Sequence, residues 1–310
     1  MLNGQWELAE AGNDRLCEVQ VPGSVLSGLY GAGKIEDPFY RTNEDVTREL
    51  FRKDYEFSRT FVAAEDILKE EKIILVCEGL DTLADIYING KKAGSADNMH
   101  RTWKLDVKEF LHSGENQIRI VFRSVFKYIE AYEYEDNKEI HYVPCGGMKG
   151  NQLIRKAHCM FGWDWGAHLP DAGIFRPVSL LGISGGRIDS VYIRQRHTPG
   201  QVELEFEVAA LELSGKPTWQ AEVISPDGQT RGVSLSETGK GTLSICEPEL
   251  WWPNGLGEQP LYQVRVQLFL DGKQCDLWER KIGLRSMTVK REKDEWGESF
   301  AHEVNGICFF

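Results

Sequence analysis

The densest group of side chains able to do chemistry lies in the segment Phe161-Gly162-Trp163-Asp164-Trp165-Gly166. A carboxylate stands there between two indoles, and the glycines on both sides permit backbone angles that other residues avoid. Flat apolar rings beside hydrogen-bond acceptors are what recognition of a sugar ring requires. The segment therefore predicts a carbohydrate contact made by Trp163, Asp164 and Trp165. The alternative interpretation is a pair of core or interdomain tryptophans, with Asp164 capping a turn.

Two further segments are weaker candidates. Trp251 and Trp252 stand among turn-forming residues, where they could form a second carbohydrate platform or, as we favour, a wedge that packs domains together. The Asn43-Glu44 pair could present a general acid for glycoside hydrolysis. Hydrolysis with retention needs a second carboxyl group about 5 to 5.5 Å away, and the sequence nominates none. We therefore interpret Asn43 and Glu44 as structural loop residues.

Other catalytic and cofactor patterns are missing from the sequence. The seven histidines include no pair at metal-ligand spacing, so we expect no catalytic metal. There is no Gly-x-Ser-x-Gly elbow, which leaves a serine hydrolase without support. There is also no Gly-x-Gly-x-x-Gly or Walker pattern, the motifs by which nucleotide cofactors are held. We expect no cofactor.

Composition and charge limit the partners. The chain has 310 residues with 36 Lys or Arg and 48 Asp or Glu, which gives a net charge of -12. Such a field repels phosphate backbones and anionic lipid heads, so we expect neither nucleic acid nor a membrane as partner. The first residues lack the basic start and apolar run of a signal peptide. The seven scattered cysteines suit buried thiols in a reducing compartment. We therefore expect a cytoplasmic location.

Strands must position the candidate residues. Apolar and polar side chains alternate at Gln201 to Val208, Tyr262 to Leu270, Ala84 to Ile88 and Ile118 to Phe122, which predicts strands with one face in a core. Four turn pairs separate such strands: Asn89-Gly90, Asp227-Gly228, Asp271-Gly272 and Asn305-Gly306. Many short strands joined by such turns predict an all-β fold of sandwiches.

Few helices are predicted. Ser124 can cap a helix whose apolar side chains fall at helical spacing, namely Val125, Tyr128, Ile129 and Tyr132. A short helix is also expected at Asp45 to Phe51. The first helix leads into an acidic stretch, Glu133 to Glu139, which we interpret as a solvated loop rather than a recognition site.

Turn signals divide the chain into three segments: 1–185, 186–285 and 286–310. The Gly185-Gly186 pair separates the predicted strand Val178 to Ile183 from a strand that begins at Ile188. The middle segment has the size and strand rhythm of an immunoglobulin-like sandwich, without its Cys-Trp-Cys spacing. The last segment is too short for a domain, and its apolar end is unusual for a chain terminus.

A resemblance to a known family rests on five stretches that follow one another along the chain. They are Val21 to Val25 with Ile35 to Tyr40, Glu78 to Thr82 with Ile88 to Gly90, Arg155 to Ala157 with Phe161 to Gly166, Leu250 to Gly255 with Gln259 to Tyr262, and Ile282 to Arg285 with Val304 to Gly306. In this order they resemble the family 2 glycoside hydrolases. The Gly-Trp-Asp-Trp-Gly element resembles the β-mannosidases of that family more than its β-galactosidases or β-glucuronidases.

The resemblance implies a galactose-binding-like, sugar-binding jelly roll, then an immunoglobulin-like sandwich, then a TIM barrel with two catalytic glutamates. Residues 286–310 would be the lead-in to that barrel, which is absent, so no catalytic residue is expected in this chain. The resemblance assigns Asp164 to the hydroxyls of a terminal mannose and Trp163 to the pocket wall, with Trp165 as a neighbour. Ala167 departs from the family, which usually has proline there.

We therefore expect the non-catalytic N-terminal region of a retaining exo-β-mannosidase, acting on a β-mannoside or an oligosaccharide. Two alternatives stay open: a free-standing carbohydrate-binding module, and another family 2 specificity such as exo-β-glucosaminidase or β-galactosidase. The oligomeric state is not predicted. Side chains that a barrel would cover should be unusually exposed in this chain, namely Trp163, Trp165, Ile307, Phe309 and Phe310.

Overall fold

The computed structural model describes residues 1–131, 146–211 and 213–309. Strands make up most of the regular structure in these ranges, and the predicted all-β class is confirmed. The chain divides into two compact units, Met1–Gly182 and Ile183–Phe310. The domain limits placed from the sequence at residues 185 and 285 stay predictions.

The first unit contains short strands and four short helices within the described ranges. Its strands are β1 (Gly4–Glu10), β2 (Arg15–Val21), β3 (Gly23–Ser24), β4 (Tyr55–Val62), β5 (Lys72–Cys77), β6 (Leu80–Asp81), β7 (Ala84–Ile88), β8 (Lys91–Ala96), β9 (Trp103–Asp106), β10 (Glu115–Phe122), β11 (Phe161–Trp163), β12 (Gly166–His168), β13 (Gly173–Ile174) and β14 (Val178–Ile183). Its helices are α1 (Val25–Gly31), α2 (Asn43–Leu50), α3 (Glu65–Leu68) and α4 (Val125–Ala131).

One six-stranded sheet and two three-stranded sheets enclose the main core of this unit. The larger sheet has the order β2-β1-β4-β10-β7-β8, and two three-stranded sheets have the orders β14-β5-β9 and β3-β13-β6. Along β10, Ile118, Ile120 and Phe122 are buried and alternate with more exposed residues. The rings of Phe57 and Phe122 meet edge to face at 5.4 Å. The alternation read from the sequence therefore marks the inward faces correctly.

A second, smaller apolar cluster connects α4 with the β11–β12 hairpin. Its buried members are Phe51, Leu83, Val125, Phe126, Ile154, Phe161 and Leu169. The Ser124 hydroxyl accepts a hydrogen bond from the Lys127 backbone N–H at 3.3 Å, so the predicted helix cap is confirmed. The helix expected at Asp45 to Phe51 is α2, which begins two residues earlier. Tyr132 and the acidic stretch Glu133 to Glu139 lie outside the described residues.

The second unit is a two-sheet sandwich followed by a small third sheet. Its strands are β15 (Arg187–Thr198), β16 (Gln201–Leu211), β17 (Pro217–Ile224), β18 (Thr230–Val233), β19 (Lys240–Cys246), β20 (Tyr262–Leu270), β21 (Lys273–Ile282), β22 (Met287–Lys290), β23 (Ala301–Val304) and β24 (Ile307–Phe309). The sheets are β15-β16-β19, β18-β17-β20-β21 and β22-β23-β24. The core of the sandwich contains the inward residues of β16 and β20.

Three of the predicted turn pairs join neighbouring strands with the backbone that a tight hairpin requires. Asn89-Gly90, Asp271-Gly272 and Asn305-Gly306 have positive φ at both positions, between 49° and 82°. Such angles match the right-handed twist of the flanking strands and favour Asn, Asp and Gly. At Asp227-Gly228 only the glycine has a positive φ, 89°.

The cysteines depart in part from the expectation of buried thiols. Cys17 and Cys77 are buried, and burial raises the pKa of the Cys77 thiol to about 12. Cys159, Cys246 and Cys308 are exposed, so the expectation was wrong for them. Cys159 lies in a 3-10 turn, Cys246 is the last residue of β19 and Cys308 lies in the three-residue strand β24, elements whose residue types do not by themselves predict a buried thiol.

Candidate functional site

The β11–β12 hairpin presents the three predicted site residues together. Trp163 pairs with Gly166, so Asp164 and Trp165 form the two-residue turn between the strands. Phe161, at the other end of β11, is fully buried in the smaller apolar cluster. Burial at one end anchors the hairpin and leaves the turn in solvent. We call the segment Trp163-Asp164-Trp165 the aromatic loop.

The aromatic loop is open to a ligand. Trp165 is 82% exposed and Trp163 is 36% exposed. Their ring centroids lie 5.5 Å apart with the planes tilted by 41°. A sugar held between two rings needs about 7 to 8 Å between them, twice the van der Waals separation of carbon atoms. A sugar would therefore stack on the outer face of one indole rather than between the two.

Asp164 supplies the polar part of the loop. Its side chain is exposed, and within the described ranges no hydrogen bond or ion pair engages its carboxylate. A carboxylate is an acceptor with about four lone-pair directions, which suits the vicinal hydroxyls of a sugar. Among the described residues, no hydrogen bond supports the alternative in which Asp164 serves only to cap a turn.

Five side chains were expected to be exposed in this chain because a barrel would cover them, and three of the five are exposed. Trp163, Trp165 and Ile307 are exposed. Phe309 is half-buried, because it lies on β24 with its ring 6.3 Å from that of His302. Phe310 lies outside the described residues.

A contact between α2 and β12 was missed by sequence reasoning. One oxygen of Glu44 accepts hydrogen bonds from the His168 backbone N–H at 2.9 Å and from the His168 ring Nδ1 at 2.7 Å. Partial burial raises the pKa of the Glu44 carboxyl, but these hydrogen bonds and the nearby charges outweigh it and hold the pKa below its usual value. Glu44 thus stabilises the hairpin, and it does so from the first turn of α2 rather than from the loop that the sequence interpretation assigned to it.

A buried lysine fixes the segment that leads into the hairpin. The Lys156 ammonium, with no exposed side-chain surface, lies 2.5 Å from the Asp81 carboxylate and 2.6 Å from the Asp171 carbonyl oxygen. Burial lowers the pKa of Lys156, and the Asp81 charge opposes this. The Arg155-Lys156 pair stood out in the sequence beside the aromatic segment, but its partner 75 residues away could not be read there.

Asp171 completes this buried polar group. One of its carboxylate oxygens accepts backbone hydrogen bonds from Leu26 at 3.1 Å and Ala172 at 2.7 Å. Burial raises the pKa of Asp171 to about 6, against the opposing effect of these donors and of Lys156. Because Leu26 lies in the first turn of α1, the carboxylate ties that helix to the end of the hairpin segment.

The second aromatic segment packs within its own unit. Trp251 lies against the backbone of Gly283, where any added Cβ would come within 2.8 Å of the indole. Its backbone N–H donates to the Leu284 carbonyl at 2.9 Å, and the Arg285 guanidinium stacks at 4.8 Å from its ring centroid. These contacts support packing over a carbohydrate platform for Trp251.

Two other features bear on the class of site. Across residues 1–131, 146–211 and 213–309, no group of three His, Cys, Asp or Glu side chains is arranged to hold a metal ion. Among the helices in those ranges, none has the length and apolar character needed to cross a membrane.

Comparison with known proteins covers both units. The family model described as "Glycosyl hydrolase 2 galactose-binding domain-like" matches residues 6–176, and that described as "Glycosyl hydrolases family 2" matches residues 186–285. Beta-mannosidase B of Emericella nidulans is 29% identical over 100% of this chain and 38% of its own length. The chain thus spans little more than a third of the curated relatives it matches.

Solved structures agree with the family models. The crystal structure of a β-D-mannosidase from Dictyoglomus thermophilum superposes with a TM-score of 0.88 and 31% identity over 100% of this chain and 39% of its own length. An exo-chitosanase from Amycolatopsis orientalis has 19% identity, a TM-score of 0.67 and covers 98% of this chain and 36% of its own, which shows a shared fold alone. With family models matching both units, the chain belongs to glycosyl hydrolase family 2.

Proposed function

We propose that the chain is the non-catalytic N-terminal region of a retaining exo-β-mannosidase. In this role it contributes the aromatic loop to the site that binds the terminal β-mannose, while the reacting carboxyl groups belong to another part of the protein. The substrate class is a β-mannoside or an oligosaccharide ending in β-mannose. A cytoplasmic location is part of the same proposal and follows from the sequence expectation above.

One observation carries the proposal. An exposed aspartate without a partner among the described residues stands between two exposed indoles, in a chain that matches a β-mannosidase structure over its whole length. Trp165, at 82% exposure, buries little surface, and no described residue pairs with the Asp164 carboxylate, so a role in the fold does not account for either side chain. They are the expected features of one wall of a sugar pocket.

The aromatic loop alone should bind sugar weakly. A pocket normally buries most of a ligand's surface, and a single wall leaves the other hydroxyls of the sugar in water. Hydrogen bonds from the sugar to Asp164 then compete with hydrogen bonds from the solvent and yield little net free energy. We expect millimolar binding of mannose or mannobiose by residues 1–310, or none that calorimetry detects.

The test compares this chain with the full-length gene product, using p-nitrophenyl β-mannoside as substrate. We expect turnover by the full-length protein and none by residues 1–310. In the full-length protein, Asp164→Ala and Trp163→Ala should each lower kcat/KM by at least tenfold. Trp219→Ala is the matched control, because Trp219 lies on β17 in the second unit. The kcat/KM of this variant should equal that of the parent protein.

Three outcomes would contradict the proposal. Turnover by residues 1–310 that a single Glu substitution abolishes would place catalytic groups in this chain. Tight binding of mannobiose by residues 1–310, lost in Trp163→Ala, would favour a free-standing carbohydrate-binding module. Faster hydrolysis of the β-glucosaminide or β-galactoside than of the β-mannoside would assign another family 2 specificity.

A further inference from the structure

The aromatic loop sits on a hairpin too small to hold its own shape. Strands β11 and β12 have three residues each, and they form a two-stranded sheet. Isolated two-stranded hairpins are marginally stable in water at best. Its geometry must therefore come from contacts outside the hairpin, and the apolar cluster around Phe161 is one of them.

His168 is the residue through which the rest of the unit grips this hairpin. Its backbone N–H and its ring Nδ1 both contact one oxygen of Glu44, at 2.9 and 2.7 Å. On the other side of the ring, Nε2 lies 2.7 Å from the carbonyl oxygen of Gly146. Three separate hydrogen bonds thus converge on a residue two positions beyond the start of β12. We call Glu44, His168 and the Gly146 carbonyl the hairpin clamp.

The two acceptors determine the protonation state that completes the clamp. A backbone carbonyl can only accept, so Nε2 must carry a proton. An ionised carboxylate can likewise only accept, so Nδ1 donates a proton to the Glu44 oxygen that also accepts the backbone N–H. In this geometry both ring nitrogens donate, and the bond from Nδ1 to the Glu44 carboxylate is charge-assisted, about twice as strong as a neutral one.

The His168 ring also packs against the backbone of the neighbouring strand β11. Gly162 has φ +87°, and a Cβ placed on it would lie 2.3 Å from the His168 ring. The imidazole therefore rests directly on the backbone that precedes Trp163. A Cβ on Gly146 would lie 4.0 Å from the carbonyl of Trp163 and from the backbone N of Asp164. His168 thus contacts both strands of the hairpin: it belongs to β12, where it pairs with Phe161, and its ring lies on Gly162, the residue before the aromatic loop.

Other ionisable groups surround the clamp. Arg48, one helical turn after Glu44, helps to lower the pKa of Glu44 and is itself paired with Asp45 at 2.9 Å. Glu36 lies 3.4 Å from the Asn43 amide in the segment before α2. The 3-10 turn His158–Met160 packs against β11 and β12 and carries the side chains of His158 and Cys159, and the aromatic loop itself carries Asp164.

We infer that Glu44 and His168 are positioning residues, which hold the aromatic loop in its binding orientation through a charged clamp on both strands of the hairpin. The inference that the loop is held rests on the contacts above. Only the consequence for sugar binding rests on the proposed function. The matched test variant is Glu44→Gln, which keeps an oxygen for the backbone N–H but removes the charge that pairs with His168.

The first experiment uses residues 1–310 and needs no sugar. Nitrogen-15 NMR of the His168 side chain should show a slowly exchanging proton on Nδ1 in the parent chain, and faster exchange of that proton in Glu44→Gln, which lacks the carboxylate that holds it. Exchange of the His168 backbone amide should quicken at least tenfold in the variant, the order of one lost charge-assisted hydrogen bond. Glu49→Gln, the same change on the exposed face of α2, should alter neither signal.

The pH dependence of the loop is a further readout. Because hydrogen bonding to His168 lowers the Glu44 pKa in the folded chain, Glu44 should keep its charge at the ordinary glutamate pKa of about 4.3, and the clamp should weaken as pH falls through the lowered value. The indole N–H of Trp165 should become more mobile over that acidic range. In Glu44→Gln this transition should be missing.

The second experiment measures kinetics in the full-length gene product. Glu44→Gln and His168→Gln should raise KM for the β-mannoside several-fold with a smaller change in kcat, since a loosened wall mainly weakens binding. His100→Gln, at an exposed histidine elsewhere in the unit, is the control and should change neither constant.

The outcomes separate the two ideas. Equal exchange of the His168 Nδ1 proton in the parent chain and in Glu44→Gln, or an unchanged amide exchange in Glu44→Gln, would overturn the clamp whatever the kinetics. A loosened loop together with full activity of Asp164→Ala would leave the clamp standing and would remove the proposed role of the loop in sugar binding. Loosening of the loop with a matching rise in KM would support both.

Discussion

Replacing Lys156 with methionine should destabilise the first unit by about 3 to 5 kcal/mol, the usual effect of removing one partner of a buried ion pair. Methionine keeps the length and apolar stem of lysine but leaves the Asp81 carboxylate, 93% buried by side-chain area, without its ammonium. Thr82 still donates its hydroxyl to Asp81. The Asp171 carbonyl loses its 2.6 Å donor as well.

The magnitude can be separated into its parts with a double-mutant cycle. Lys156→Met combined with Asp81→Asn removes both charges. The double variant should therefore lose less unfolding free energy than the sum of the losses in the two single variants, and the difference, the coupling energy, should be about 1 to 3 kcal/mol. Lys127→Met is the matched control, because Lys127 pairs with Asp54 at 3.2 Å while 59% of its side chain is exposed. Exposed pairs of this kind contribute about 0 to 1 kcal/mol.

The assay must report on the first unit alone, since a chain with two compact units need not unfold in one step. Native-state hydrogen exchange of the Ile118 and Ile120 amides in β10 measures opening of that unit. A loss of less than 1 kcal/mol in Lys156→Met, or additive effects in the double variant, would refute the view that a charged pair is buried there.

Three further predictions concern the hairpin and its surroundings. Gly162→Ala should lower the free energy of unfolding more than Gly90→Ala in the same exchange assay. Both glycines have positive φ, which destabilises any other residue by about 1 to 2 kcal/mol, but only at Gly162 would the new Cβ also meet the His168 ring. Equal losses in the two variants would contradict this. The free energy of unfolding of the first unit should fall as pH rises from 4 to 6, because folded Asp171 keeps a proton that the unfolded chain has lost. A pKa raised from 3.8 to about 6 corresponds to a loss of about 3 kcal/mol across this range. Asp171→Asn should abolish this dependence of stability on pH. Trp165→Ala, at an 82% exposed position, should change the unfolding free energy by less than about 0.5 kcal/mol, and a larger loss would show that the indole packs in the fold.

Local patterns in the sequence predicted most of the strands and the place of the aromatic loop. The limits of β7, β14 and β20 match the predicted runs, because strand alternation and flanking turn residues are properties of neighbours along the chain. The three residues of the aromatic loop are adjacent in sequence, so their proximity needed no tertiary information. The exposed cysteines escaped prediction because nothing in their neighbours marks which side of a short segment faces water.

The supports of the loop were decided by the tertiary structure. Glu44 and His168 are 124 residues apart, and Lys156 and Asp81 are 75 apart. No periodicity links such pairs, since their contact depends on which strands become neighbours when the sheets close around one core. Chemistry that resides in one short segment can be read from side-chain types alone, whereas the orientation of that segment depends on hydrogen bonds that exist only after distant parts of the chain have packed together.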